Sequence, residues 1–529
     1  MRALNVLLAI LVSLAIAFGV FEFGLRLFPA FRQPATINQF DADLGWAKEP
    51  GASVSRSTPE FSITFEINDQ GLRDDNVVVP KPEGVYRVVC LGDSFVLGYT
   101  VDREDLFVDL LEAAYDGGAT KVEFVNAGTE GWSTDQEVVW FQEYGAAMDP
   151  DLVLLFPYEN DIYWSGQESY HRFPKPRFEG TGQLEERILA DPGSPPFIQS
   201  LASFRALGLL ASQLIQTKDR PHNFDAGEDR WIPSEFGPLL VEPPAFVAEA
   251  QQRVESALQA LAIAAGDATV IVCPIPSESA IQADSKADFA AASDGAGLAG
   301  LPDDQWSPDI PVDFYIGIAE KLGMRAIDPR VALRTAFQAN PEAPLYFDIE
   351  WHLTPRGNRV LAGFLAAELG ASAEALAAPD LAAITAKSSG DGSGGIPTWL
   401  LVYLCLWAVL GTAYAVTYRG EESAGKSYLG VGLMLGSVFT IIIGGNWLMG
   451  MLPATWRPFL ILCVLILVLG FVAYKLGRRL GTIAELLKAF TLRGHWYLMP
   501  LVVVLLSIGS LLVVAASSPL IAPFIYTLF

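Results

Sequence analysis

The chain has 529 residues, a mean hydropathy of +0.32 and a net charge of −25, with 18% charged residues. A soluble domain usually carries roughly 25% charged residues, so this composition excludes a wholly soluble protein. From Pro397 onward there are 8 Lys and Arg against 3 Asp and Glu, and before it 27 against 57, so no basic stripe exists to neutralise phosphates and nucleic-acid binding is excluded.

In chain order, Leu4–Leu27 is an apolar run broken only by Glu22, Arg26 and small residues. It is long enough to span a hydrocarbon core of ~30 Å. Neither the shorter apolar stretch nor the small-residue cleavage site of a cleaved leader is clear, so residues 1–30 read as an uncleaved anchor, with a cleaved leader as the second reading. Residues 31–85 form a lead-in. From Tyr86 the pattern changes. Strand-like runs at Tyr86–Leu91, Lys121–Asn126, Leu152–Pro157, Thr269–Cys273 and Met324–Ile327 alternate with helical spacing at Glu104–Tyr115, Thr134–Tyr144, Pro244–Ala265, Pro311–Leu322 and Pro355–Leu369. Residues 162–240 interrupt this alternation as an insert rich in Pro, Gly, Trp and Tyr. Of the four Cys, Cys405 and Cys463 lie in apolar runs, while Cys90 and Cys273 end strand-like runs and read as buried thiols, which excludes a disulfide scaffold.

A Gly/Ser linker, residues 386–397, precedes four further apolar runs at about Trp399–Tyr418, Leu429–Leu452, Phe459–Tyr474 and Trp496–Ala516. Lys475, Arg478, Arg479, Lys488 and Arg493 face a single Glu485 between the last two, which places that loop in the cytoplasm. Counting back through the runs puts residues 31–397 outside and the N-terminus inside. The expectation is a multi-pass inner-membrane protein with a periplasmic domain at 86–385 and a four-helix membrane region at 398–529.

Strands alternating with helices predict an α/β domain, a three-layer α/β/α sandwich around a parallel sheet. Ligands bind at the carboxyl ends of such strands. Polar clusters fall there: Gly92-Asp93-Ser94-Phe95, Asn126-Ala127-Gly128-Thr129-Glu130-Gly131-Trp132-Ser133, and Tyr158-Glu159-Asn160-Asp161. Each alone reads as a helix cap or an ordinary turn. A fourth, Phe347 to Pro355, holds His352 with carboxylates at short spacing. Of the other histidines, His171 and His222 lie in the insert and His495 at the membrane edge. A serine nucleophile needs a base, and the base needs an acceptor that fixes its tautomer.

These four clusters, in this order over Tyr86–Leu369, resemble the SGNH (GDSL-type) hydrolase family. The resemblance implies Ser94 as nucleophile and His352 as base, with the Ser94 N–H, Gly131 and the Asn160 amide as the oxyanion hole. The family's acid position, three residues before the histidine, is Ile349 here. Glu350, two before, is narrowly preferred as the acid over Asp348, four before. Asp43-Leu44-Gly45-Trp46 and Ile67 to Asp74 resemble the lead-in of membrane-anchored bacterial members. Ser517 to Phe529 resembles a small bacterial membrane domain of unknown function.

The chemistry implied is acyl transfer from an ester to Ser94 and then to water, or to a sugar hydroxyl in an O-acyltransferase working with a membrane acyl donor. The substrate expected is an acyl ester of a glycan, lipid or metabolite. A non-catalytic scaffold is the third reading, supported by the odd acid spacing. Tyr163, Trp164, Tyr170 and Phe173, which begin the insert, are expected either to cover the pocket or to form a surface cluster. No metal-ligand cluster, P-loop or dinucleotide fingerprint is present in the sequence, so no cofactor is expected.

Overall fold

The computed structural model describes residues 37–386 apart from 59, 119, 194–196, 206, 208–222, 227–229, 283–297, 299–300 and 303. It also describes 398–417 and scattered positions before 37 and over 423–436. The chain divides into two compact units. One comprises residues 1–34, 196–212 and 392–529, the other residues 35–195 and 213–391.

The second unit is built on five parallel strands: β5 (Val85–Gly92), β6 (Lys121–Asn126), β7 (Leu152–Phe156), β12 (Thr269–Val272) and β13 (Arg325–Ala326), in the order β13-β12-β7-β5-β6. Alternate residues of each strand point to opposite faces. Val88, Cys90, Leu152, Leu154 and Phe156 therefore enter one core, while Val89, Leu91, Val153 and Leu155 enter the other. The first core is closed by Phe107–Tyr115 and Pro355–Leu369, the second by Thr134–Trp140, Ala245–Ala265 and Ile310–Lys321. Burial on both faces is why β7 reads Leu-Val-Leu-Leu-Phe without a polar residue. This is the expected α/β/α sandwich. Cys90 and Cys273 are buried free thiols, as expected.

Smaller elements were not expected. In the lead-in, β1 (Asn38–Asp41) pairs with β2 (Gly45–Lys48), and β3 (Ser53–Ser57) pairs with β4 (Ser62–Glu66). Ile37, Phe61, Ile63, Phe65 and Ile67 pack on Leu97, beside the first strand-to-helix turn. The insert contributes β8 (Ser169–Tyr170) with β9 (Phe173–Pro174), and β10 (Asn223–Asp225) with β11 (Trp231–Pro233). It also has a cluster of its own, in which Ile232 and Leu239 meet Leu298 and Trp306. A helix over Arg330–Ala339 was likewise not expected.

In the first unit, Thr398–Thr417 is a 20-residue helix without a charged side chain and coincides with the apolar run Trp399–Tyr418. Considering described residues alone, no helix is long and apolar enough to cross a membrane. The runs Phe459–Tyr474 and Trp496–Ala516, the linker, the basic loop at 475–493, and most of Leu4–Leu27 and Leu429–Leu452 lie outside the described residues.

Candidate active site

Strand β5 ends at Gly92, opposite Phe156 of β7, and Cys90 lies opposite Asn126 of β6. The three sequence clusters thus leave the sheet along one edge. The Asp93 side chain caps the turn by accepting from Phe95 N–H at 2.8 Å. This directs Ser94 out of the sheet at the start of the four-residue helix α1 (Ser94–Leu97). Because α1 is a single turn, any oxyanion stabilisation there comes from individual N–H groups rather than from a helix dipole.

Ser94 Oγ lies 2.8 Å from His352 Nε2. His352 Nδ1 lies 2.6 Å from the main-chain oxygen of Glu350. A carbonyl only accepts, so Nδ1 carries the proton and the Nε2 lone pair faces the serine hydroxyl. The tautomer a serine nucleophile needs is thereby set without a carboxylate. The imidazole is enclosed between Phe95, at 4.6 Å between centroids, and Tyr99, at 5.1 Å and nearly parallel. Enclosure disfavours the imidazolium and pulls the pKa down to about 4, against the raising effect of the Glu350 carbonyl bond. The ring is therefore a neutral base at physiological pH.

The acid assignment is corrected accordingly. The Glu350 carboxylate is half-buried, and burial and the nearby Glu60 raise its pKa while Arg56 opposes them. What meets the imidazole is the Glu350 backbone. Asp348 is exposed and makes no described contact with the ring. Both carboxylates were natural choices from sequence; a carbonyl acceptor leaves no mark there, since every residue carries one.

The second cluster seats itself on the turn that carries Ser94. A Cβ on Gly128 would come within 2.2 Å of Leu97 N and 2.6 Å of Val96 C, so only glycine fits. Gly131 has φ +75°, and a Cβ there would meet Tyr170 Cε1 at 3.0 Å. Tyr170 of the insert therefore lies over the loop that follows β6. Asn160 begins the turn after β7, and its side-chain oxygen is buried without a partner. Gly131 and Asn160 thus follow the two strands that neighbour β5, at the edge that the resemblance assigns to the oxyanion hole.

Of the insert aromatics, Tyr163 and Trp164 are buried against Phe246 and Tyr170, while Tyr170 and Phe173 pack on Trp46. Their rings pack against one another and against Phe246 and Trp46, as in the second of the two expected arrangements, a cluster of their own.

Sequence reasoning missed the lead-in's share of the site. Lys48 donates to the Gly128 carbonyl and to Thr129 Oγ1, and burial depresses its pKa to about 7. Arg73 is fully buried and donates to the carbonyls of Leu97, Gly98 and Val101, closing the end of α1. Arg56 pairs with Glu130 at 2.7 Å and lies 4.6 Å over the ring of Tyr99, the ring stacked on His352. The partners of these three cations lie about 25 to 80 residues away in sequence, so no local pattern marks them. Behind Ser94, Asp93, Asp135, Glu137, Asp161 and Lys175 are all buried. Lys175 pairs with Asp135, whereas burial and like neighbours push Glu137 and Asp161 well above the usual carboxylate range.

Residues 480–529 match a family of unknown function, DUF5989, in keeping with the resemblance at Ser517–Phe529. No curated protein sequence matches the chain significantly. Among solved structures, an acetyl xylan esterase (AlAXEase) is similar at 13% identity, covering 54% of this chain and 99% of that one, with a TM-score of 0.31. LAE5, an alpha/beta hydrolase enzyme from the metagenome of Lake Arreo, Spain, is similar at 14% identity over 56% and 96%, TM-score 0.30. The lipase/acylhydrolase from Enterococcus faecalis is similar at 14% over 54% and 95%, TM-score 0.28. Likeness at this level carries no argument about activity, which rests on the geometry above.

Proposed function

We propose that the chain is a membrane-anchored serine esterase or deacylase whose site faces the extracytoplasmic space. The carrying observation is the Ser94 Oγ–His352 Nε2 contact of 2.8 Å with Nδ1 committed to the Glu350 carbonyl. His352 takes the Ser94 proton as Oγ attacks the ester carbonyl. The negative charge of the tetrahedral intermediate falls to the Ser94 and Gly131 N–H groups and the Asn160 amide. Collapse expels the alcohol, which leaves with the proton from Nε2. Water then attacks the acyl-Ser94 ester, gives a proton to His352, and the acid departs as the proton returns to Oγ. Anchoring is supported by the Leu4–Leu27 run and the apolar runs after Pro397, and orientation by the basic residues at 475–493.

A second reading, O-acyl transfer to a glycan hydroxyl, has the multi-span C-terminal region in its favour, because a membrane-borne acyl donor needs such a partner. The neutral, oriented Ser–His pair weighs against a non-catalytic scaffold.

Labelling by an active-serine fluorophosphonate tests the proposal. The detergent-solubilised full chain is expected to react at Ser94, and the Ser94→Ala and His352→Ala variants to remain unlabelled. Labelling that persists in Ser94→Ala overturns it. With a labile acetyl donor and a glycan acceptor, acetate release favours the esterase and acetylated glycan the transferase.

A further inference from the structure

The carbonyl that orients His352 belongs to a tight loop, and something must hold that loop. Tyr346 bridges to Leu353, and within this pair Phe347 N–H donates to the His352 carbonyl at 2.9 Å while Trp351 N–H donates to the Phe347 carbonyl at 3.1 Å. Trp351 sits at φ +55°, in the left-handed region that strains a bulky residue. The loop's own hydrogen bonds leave the N–H groups of Ile349 and Glu350 pointing out. Both are received by one side chain: Glu60 Oε1 accepts from Ile349 N–H at 3.0 Å and Oε2 from Glu350 N–H at 3.1 Å.

Glu60 lies in the turn between β3 and β4, almost three hundred residues earlier in the chain. The turn is closed by Thr58 N–H donating to the Phe61 carbonyl, and Thr58 Oγ1 accepts from the N–H groups of Glu60 and Phe61. Phe61 packs on Phe347 at 5.9 Å and on Tyr99 at 6.3 Å. Arg56 of β3, over Tyr99, partly offsets the repulsion between Glu60 and the Glu350 carboxylate.

We infer that Glu60 is a positioning residue for His352: its bidentate grip on the Ile349 and Glu350 amides fixes the Glu350 carbonyl against Nδ1. The lead-in hairpin thus takes over, through the backbone, the orienting role that a carboxylate beside the imidazole would otherwise have. It acts on the loop and touches no reacting atom. The two N–H donors are adjacent in sequence and splay like the two oxygens of a carboxylate, so a charged acceptor suits them better than an amide.

The inference rests on the Ser94–His352 reading, and its test separates the two. Ester turnover and fluorophosphonate labelling of the full chain are compared for wild type, Glu60→Gln, Glu60→Asp and Glu60→Ala, with thermal unfolding followed in parallel. Glu60→Ala is expected to lose about 10²-fold in kcat, as for a misplaced catalytic group, with KM nearly unchanged and the melting temperature little altered. Glu60→Gln, which keeps one acceptor oxygen, is expected to fall between. The acid limb of the pH profile should move upward in Glu60→Ala, because a loosened loop admits water to His352; a merely structural role would leave it in place. Wild type that labels and turns over, with Glu60→Ala equal to it in kcat and pH profile, overturns the inference alone. Wild type inert in both assays overturns the esterase reading beneath it. A Glu60→Ala chain that fails to fold moves the decision to Glu60→Gln, where undiminished kcat at full folding also overturns it.

Discussion

His352 gives its Nδ1 proton to the main-chain oxygen of Glu350, 2.6 Å away, and to no carboxylate. A carbonyl dipole stabilises a developing imidazolium less than an anion does, but it fixes the tautomer equally well. The side chains nearby should then be dispensable where the backbone is not. Asp348→Asn and Glu350→Gln are expected to keep kcat within about threefold of wild type, because neither alters the acceptor at Nδ1. Steady-state kinetics on an activated ester check this, and a hundredfold loss in either variant would restore the carboxylate to the imidazole.

The enclosure of His352 predicts the pH dependence. A base whose pKa is lowered to about 4 is deprotonated throughout the neutral range. The acid limb of kcat/KM, which reports the free enzyme, is expected well below the usual 6.5 of histidine. The profile should be flat from about pH 5.5 to 8. A limb at 6.5 or above means that the imidazole is hydrated.

Stability should run the other way. Burial raises Asp74, Asp93 and Glu159 to about 7 in the folded chain, and burial with like-charged neighbours holds Glu137 and Asp161 well above the usual carboxylate range. The folded state therefore binds protons that the unfolded chain has released above about pH 4. Stability from these groups is full below their unfolded values and is lost as pH rises through 7. His352, depressed to about 4, opposes this only between its folded value and 6.5, and Lys48, at about 7, opposes it only above 7. The melting temperature is expected to fall by roughly 5–10 °C from pH 5 to pH 8. Calorimetry across that range decides it, and a rise means that these carboxyls ionise without cost.

Gly128 and Asn160 fail in different ways. Gly128→Ala drives a Cβ into the backbone of the turn after Ser94, and is expected to cost about 1–3 kcal/mol or more, with activity. Asn160→Ala removes a donor at the edge of the sheet and is expected to lower kcat by about 10²–10³ with folding intact. Equal loss of folding in both would assign Asn160 to structure alone.

The sheet was legible because parallel strands buried on both faces read as unbroken apolar runs, as in Leu152–Phe156. Ser94 and His352, far apart in the chain, are paired by motif order, and their side chains lie 2.8 Å apart. The helix Arg330–Ala339 was not, since its Arg330 and Arg334 look like a solvated face yet bind Asp328, Asp309 and the Ala280 carbonyl. Glu350 was named for its carboxylate and matters for its carbonyl. Glu60 was invisible because its partners are backbone amides with no residue signature.

The central claim is that Ser94 and His352 form one catalytic unit. The most direct measurement is p-nitrophenyl acetate turnover by the full chain beside Ser94→Ala and His352→Ala. Wild type is expected to turn over, with a loss of at least about 10³-fold in each variant. Turnover that survives Ser94→Ala, or is absent from folded wild type, contradicts it.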